Sequence, residues 1–260
     1  MKKIILLLLV FAGFTNGFAQ EKETRRNKKE ERRQRISAIS KQEEEGVIKY
    51  RKHTVVGAKL TNDGYGGFFE IGRAQSVTRA LLFQLEITER KHPKEIKQQA
   101  GGFSQNLALI YGKINFFYPV KLGVQEQFLL GNKGNKNGVS VTGNIGGGII
   151  AGLLRPYMLQ VDDGQQKFIS YYDDTTAFLG GQYIRGPGFG TGWNRMKMTP
   201  GIYLKPAIRF DYGKYNEMVN AIEVGLTTEF YTKKIPQMAL QKDRQFFVSA
   251  FVSILFGRRK

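Results

Sequence analysis

From about residue 50 onward, apolar and polar residues alternate along the chain with a period of two. Segments of 10 to 15 residues carry the alternation, and clusters of Gly, Asn, Asp and Lys separate them. That is the signature of half-buried β-strands. In one segment Leu81, Phe83, Leu85 and Ile87 face one way, and Gln84, Glu86, Thr88 and Arg90 face the other. Ile202, Leu204, Ile208, Phe210 and Tyr212 share a face opposite Lys205, Arg209 and Asp211. Met218, Ile222, Val224, Leu226 and Phe230 oppose Glu223, Gly225, Thr227 and Glu229. Near the end of the chain Phe246, Val248, Ala250, Val252, Ile254 and Phe256 line one side, with Ser249 and Ser253 behind. Counted this way, strands fall at 53–61, 65–73, 78–91, 105–115, 118–130, 138–149, 152–162, 199–212, 217–232 and 244–257. The count is ten, or eight if 138–162 makes fewer crossings.

Two architectures give this alternation. A water-soluble sheet points its apolar face into a core. An outer-membrane barrel points it at lipid and turns the polar face into the lumen. The segments are long enough for a tilted crossing, which takes about 9 to 11 residues. Aromatics gather near strand ends, at Tyr65-Phe68-Phe69, Phe116-Phe117-Tyr118, Tyr203, Tyr212-Tyr215 and Phe230-Tyr231, as interfacial girdles do. The sequence therefore predicts an all-β fold, an antiparallel transmembrane β-barrel of eight to ten strands. An even strand number puts both termini in the periplasm. On this register the inward charges are Lys59, Glu70, Glu86, Arg90, Lys121, Lys205, Arg209, Asp211, Glu223 and Glu229, five basic and five acidic. A small barrel is filled by its side chains, and buried charges must pair. The balance thus predicts a plugged, salt-bridged interior. Gly143, Gly147 and Gly148 mark kinks or places of close backbone approach. Asn62-Asp63-Gly64 reads as a hairpin turn and 131–138 as a solvated loop. The stretch 163–198 is long enough to be either functional or disordered rather than idle.

The start of the chain breaks the pattern. Met1-Lys2-Lys3 precedes an apolar run, Ile4 to Phe14, and small residues at Gly17 and Ala19 fit cleavage after Ala19. The run is too short for a bilayer core of about 30 Å. Residues 1–19 are expected to be a signal peptide, with an uncleaved anchor as the competing reading. Residues 20–49 are a charged leader, helical or disordered, with Arg25, Arg26, Lys28, Lys29, Arg32, Arg33 and Arg35 against Glu23, Glu30 and Glu31, almost no apolar face, and Glu43 to Glu45 closing it. Such a segment stays solvated. It serves either as a spacer or as a periplasmic arm that touches anionic lipid or a partner. Residues 50–260 are expected to be the barrel.

Composition then removes several chemistries. The chain has 260 residues, a formal charge of +18, no Cys and two His. Disulfides, thiolate metal sites and a multi-histidine zinc site are excluded. His53 belongs at the periplasmic rim and His92 at the outer rim, so the two cannot share a site. Ser104 flanks the same loop as His92, but a nucleophile–base pair is defined by geometry, and a solvated rim histidine is the expectation. Tyr171-Tyr172-Asp173-Asp174, with Asp162 and Asp163, offers oxygen ligands for Ca²⁺, yet lacks EF-hand spacing and reads as a solvated loop. Residues 186–192, Gly-Pro-Gly-Phe-Gly-Thr-Gly, lack the ending of a phosphate loop, and Trp193 is expected to anchor them. No cofactor, no metal and no nucleic acid partner is expected.

Lys91-His92-Pro93-Lys94-Glu95, Tyr111-Gly112-Lys113-Ile114-Asn115-Phe116-Phe117, Gly146-Gly147-Gly148, Leu154-Arg155-Pro156-Tyr157 and the closing Phe246 to Lys260 resemble the small outer-membrane β-barrel proteins of Bacteroidetes. The resemblance covers most of 50–260 and implies fold and location, with no catalytic residues. The function expected is that of a non-enzymatic outer-membrane barrel in contact with outer-membrane lipids, with a structural or accessory role in an envelope complex. A narrow pore or ligand carrier, and a lipid-modifying enzyme using His92, are the alternatives.

Overall fold

The structure, a computed structural model, describes residues 51–76, 78–98, 109–133, 138–162, 166–180, 183–213 and 217–260, together with Glu30, Glu31 and Arg33. The expected signal peptide, most of the leader, Ser104, Asp163 and Tyr215 lie outside the described residues. The chain divides into two units. One holds residues 1–48 with 134–136, of which Glu30, Glu31 and Arg33 are helical and exposed. The other holds the barrel.

Eight strands close into a single barrel: β1 Lys52–Thr61, β2 Gly64–Ala74, β3 Arg79–Arg90, β4 Asn115–Gly131, β5 Ser140–Pro156, β6 Lys197–Asp211, β7 Met218–Ile235 and β8 Arg244–Arg259. Each pairs antiparallel with its sequence neighbours, and β8 pairs with β1 from His53↔Arg259 to Thr61↔Phe251. Closure removes every strand edge from the barrel. Thr61 pairs with Gly64, so Asn62 and Asp63 form the two-residue turn that the sequence predicts. The start of β1 and the end of β8 share one end of the barrel, here the terminal end, with the connections 75–78, 132–139 and 212–217. The longer connections 91–114, 157–196 and 236–243 gather at the other, the loop end.

The count of ten is corrected to eight in two places. The expected strands 138–149 and 152–162 are largely one strand, because Gly146-Gly147-Gly148 stays paired to both neighbours and does not turn. The wall ends at Pro156, and Met158–Asp162 enters a separate sheet. Of the expected strand 105–115, Leu109–Ile110 pairs with Lys97–Gln98, outside the barrel. The chain turns at Gly112, whose φ of 71° suits a residue without Cβ, and β4 begins at Asn115.

The loop end carries a folded cap. Met158–Asp162 pairs with Gln166–Ser170 and with Tyr183–Arg185, and a short helix spans Thr175–Gly180. Asp174 caps that helix by accepting the Ala177 N–H at 2.9 Å. Ile110, Tyr157, Leu159, Ile169, Phe178 and Met238 form the cap's apolar core, drawn from all three long connections. The connections are also stitched through the backbone. Ile114 N–H donates to Gln237 O at 2.8 Å, and Ala239 N–H donates to Gly112 O at 2.6 Å.

The barrel wall is arranged the other way. Its outer face is apolar and open: Val56 on β1, Ile71 on β2, Leu85 on β3, Leu122 on β4, Ile149 on β5, Ile202 on β6, Val224 on β7 and Phe256 on β8 are all exposed, Ile202 to 62%. The inner face carries the charge.

Candidate functional site

The lumen is the densest chemical feature of the molecule. Alternation along each strand sends one residue in two inward. The ten charged residues expected inside lie there, all with at most 5% exposure. Towards the terminal end, Arg209 on β6 donates to both Glu70 oxygens on β2 at 2.8 and 2.7 Å. It also donates to Glu223 on β7 at 2.9 and 2.7 Å. Lys205 lies 2.7 Å from the second Glu223 oxygen, and Asn144 on β5 donates to Glu223 at 2.9 Å. His53 approaches Glu70 at 3.4 Å.

A second string crosses to the loop end. Lys59 donates to both Glu86 oxygens at 2.9 Å. Lys121 bridges Glu86 at 2.7 Å and Glu229 at 2.9 Å. Arg90 grips Glu229 through two nitrogens at 2.7 and 3.0 Å and reaches Asp63 at 2.7 Å. Lys205 donates to Gln84 at 3.0 Å, which Gln125 also contacts, so two amides extend the first string. Asp211 stands apart at the terminal rim with Arg259 and Lys133. The physical logic is that of a buried ion-pair network, in which each charge is tolerated because an opposite charge and further donors face it.

Apolar clusters border this core towards both ends. At the terminal end Val55, Phe68, Val219, Ala221 and Leu255 pack together. At the loop end the layer contains Phe117, Ile150, Leu154, Tyr203, Tyr231, Ile235 and Phe247. Gly152 makes room for it, since a Cβ there would sit 2.8 and 2.9 Å from the Tyr231 and Phe117 rings. Lys59 lies 3.9 Å over the Phe251 ring and Arg90 lies 4.8 Å over Phe247, so cations and rings meet at the boundaries.

The aromatic girdle expected from clustering is therefore half corrected. Tyr65, Phe69, Tyr212 and Phe230 do face outward. Phe68, Phe117, Tyr203 and Tyr231 are buried inside. Adjacent aromatics alternate sides on a strand, so a pair contributes one ring to each face. Gly147 and Gly148 are close-approach points, where a Cβ would meet Tyr203 O at 2.5 Å and Leu122 O at 2.2 Å, whereas Gly143 faces only the Leu130 side chain at 3.3 Å. Asp63, Asn144, Gln125, Tyr231 and Ser249 join the network although none is among the inward charges expected from sequence. Strand parity gives a signal for all of them except Asp63, which reads as a turn residue.

The other candidates are spent locally. His53 and His92 lie at opposite ends, as expected. The His92 N–H donates to Glu95 at 3.0 Å, and its Nδ1 accepts from the Lys94 N–H at 3.2 Å. Burial, then the Arg244 charge, hold its imidazole below the usual value. Asp173 accepts from the Ser170 hydroxyl at 2.8 Å and pairs with Arg195 at 2.8 Å. Among the described residues no group of His, Asp and Glu has the arrangement of a metal site. Trp193 stacks on Tyr118 at 5.8 Å and donates to Phe189 O at 2.5 Å, closing the 186–192 turn onto the outer wall.

No family model and no curated protein matches the sequence. Among solved structures, Ail, the attachment invasion locus protein of Yersinia pestis, is similar with a TM-score of 0.40 and 10% identity, over 81% of this chain and 99% of that one. Neisserial surface protein A gives 0.38 and 9%, over 80% and 96%. The N-terminal β-barrel domain of Pseudomonas aeruginosa OprF gives 0.35 and 10%, over 80% and 98%.

Proposed function

We propose that this chain is an integral outer-membrane β-barrel without enzymatic activity, and that it acts in the envelope as an accessory protein through surfaces at its two ends. The observation that carries the reading is the exposed apolar face, present on all eight strands, around a lumen in which charge is sealed. In water that arrangement would expose far more contiguous apolar surface than a monomer tolerates. In lipid it is the expected state, with every backbone group paired through closure. The barrel strands run from 10 to 18 residues, enough for a tilted crossing. A lumen filled by ion pairs, with apolar clusters towards both ends, disfavours a pore. The cap would then stand outside the bilayer as the presented surface, and the resemblance to the Bacteroidetes barrels belongs to the same reading.

Heat modifiability tests it. The full chain, extracted in detergent from an outer-membrane fraction, should migrate differently before and after boiling on a denaturing gel. A protein recovered from the soluble periplasm with no shift would overturn the proposal.

A further inference from the structure

The terminal end has an exterior feature that the closed lumen does not use. Arg51, Lys52, Arg73, Arg258 and Lys260 are all exposed there. Lys52, Arg73 and Arg258 share strand parity with the outer apolar face, each two residues from an exposed member of it or of the same row. They stand on β1, β2 and β8, which are adjacent in the barrel. Lys52 pairs with Arg73 across β1 and β2, and Thr54 pairs with Arg258 across β1 and β8. Neighbouring strands lie about 4.8 Å apart, so the three cations occupy roughly 10 Å of the rim. Above them come Thr54 and then Val56 on β1, Ile71 on β2 and Phe256 on β8, all exposed.

Two further facts separate this patch from scattered surface charge. Among the described residues none of the five has an ion-pair partner, whereas Arg79, the exposed cation at the same end of β3, lies 3.7 Å from Glu126. The patch is also built on ordered wall. Arg51 and Lys52 donate their N–H groups to Lys260 O at 3.0 Å, Lys260 N–H donates to Lys52 O at 2.8 Å, and Ala74 N–H donates to Arg51 O at 3.0 Å. At the same end β7 begins with exposed Glu217 and Met218, so the charge belongs to one sector of the rim.

We propose that Lys52, Arg73 and Arg258, with Arg51 and Lys260 beside them, bind the phosphate headgroups of anionic phospholipid in the leaflet around the terminal end. The inference rests on the membrane reading above. The aliphatic stems lie along the apolar band while the charged heads stay at its edge, where lipid phosphates are found. Arginine at two of the three positions favours phosphate, whose oxygens its planar fork can engage in pairs. The charged leader is a separate unit and is not needed for the site.

The test uses the full chain in detergent micelles, so that the leader is common to every sample. Native mass spectrometry would count retained dioleoyl phosphatidylglycerol against dioleoyl phosphatidylcholine. The wild type should retain phosphatidylglycerol selectively, and added salt should weaken the preference. Lys52→Gln/Arg73→Gln/Arg258→Gln should lower phosphatidylglycerol affinity on the order of a hundredfold, from three cations at the membrane surface. Lys233→Gln/Lys234→Gln, at the loop end, should leave it unchanged. Unchanged affinity in the triple variant, or an equal loss in the loop-end variant, would overturn the site. If the triple variant loses its gel shift, the three single variants are read instead, each expected to lose about fivefold. A wild type with a gel shift but no lipid preference sinks this site alone. A wild type with no shift and neither lipid retained sinks the membrane reading.

Discussion

The barrel and its cap invert each other. In the cap, Ile110, Tyr157, Leu159, Ile169, Phe178 and Met238 are buried, while Lys94, Asp174 and Arg195 are exposed. In the barrel, Glu70, Lys205 and Glu223 are buried, while Ile149, Ile202 and Phe256 are exposed. One chain thus follows two opposite rules, and the change falls where β4 begins and β5 ends, at Asn115 and Pro156. Burial is driven by the medium outside. Water drives apolar groups inward, whereas lipid leaves charged groups as the ones that must hide. On the membrane reading proposed above, the contrast marks where one solvent gives way to the other.

The largest effect is expected from breaking the polar core. Arg209→Met leaves Glu70 and Glu223 facing each other without their shared cation, and should cost about 3–5 kcal/mol. The urea midpoint of the gel-shifted form measures it, and a near-wild-type midpoint would mean that the string is not a stability core. Phe178→Ala should cost roughly 3–5 kcal/mol as well, but only within the cap. Hydrogen exchange should then rise across 158–185 and in Ile110 while the barrel midpoint stays in place. A falling barrel midpoint would show that cap and wall fold as one piece.

Leu204→Arg places a charge in the middle of the outer face. Facing lipid, it should cost about 2–4 kcal/mol, and facing water close to nothing. Refolding yield into vesicles reads the difference, so this change separates the two media directly. The smallest effect concerns Asp173. Partial burial raises its carboxyl, but hydrogen bonds from Ser170 and then the Arg195 charge outweigh it and leave the group below its usual value. A lowered carboxylate stabilises the fold above its unfolded value, near pH 4, and that contribution is lost as pH falls through the folded value. The pair is exposed, so its worth is well under about 1 kcal/mol. Cap exchange around 166–173 should quicken below about pH 4. Asp173→Asn should be faster at neutral pH and should lack that step.

Legibility in the sequence followed the range of the interaction. The inward charges could be listed from parity alone, because which side a residue takes depends on its position in its own strand. The rings could not be assigned by clustering, because Phe116-Phe117-Tyr118 and Phe230-Tyr231 each straddle the wall. The count of ten failed for a related reason, and the alternative of eight held. Gly146-Gly147-Gly148 looks like a break in a linear string and is continuous once both neighbouring strands hold it.

By itself the sequence determined that the fold is a sheet with one apolar and one polar face, and that the polar face carries balanced charge. These are local properties, set by a period of two and by composition. The tertiary structure alone decided that eight strands close, that Arg209 meets Glu70 and Arg90 meets Glu229 across 139 positions of chain, and that three distant loops share one core. Such contacts depend on closure and register, which set what faces what across the lumen. No window of the sequence contains both partners.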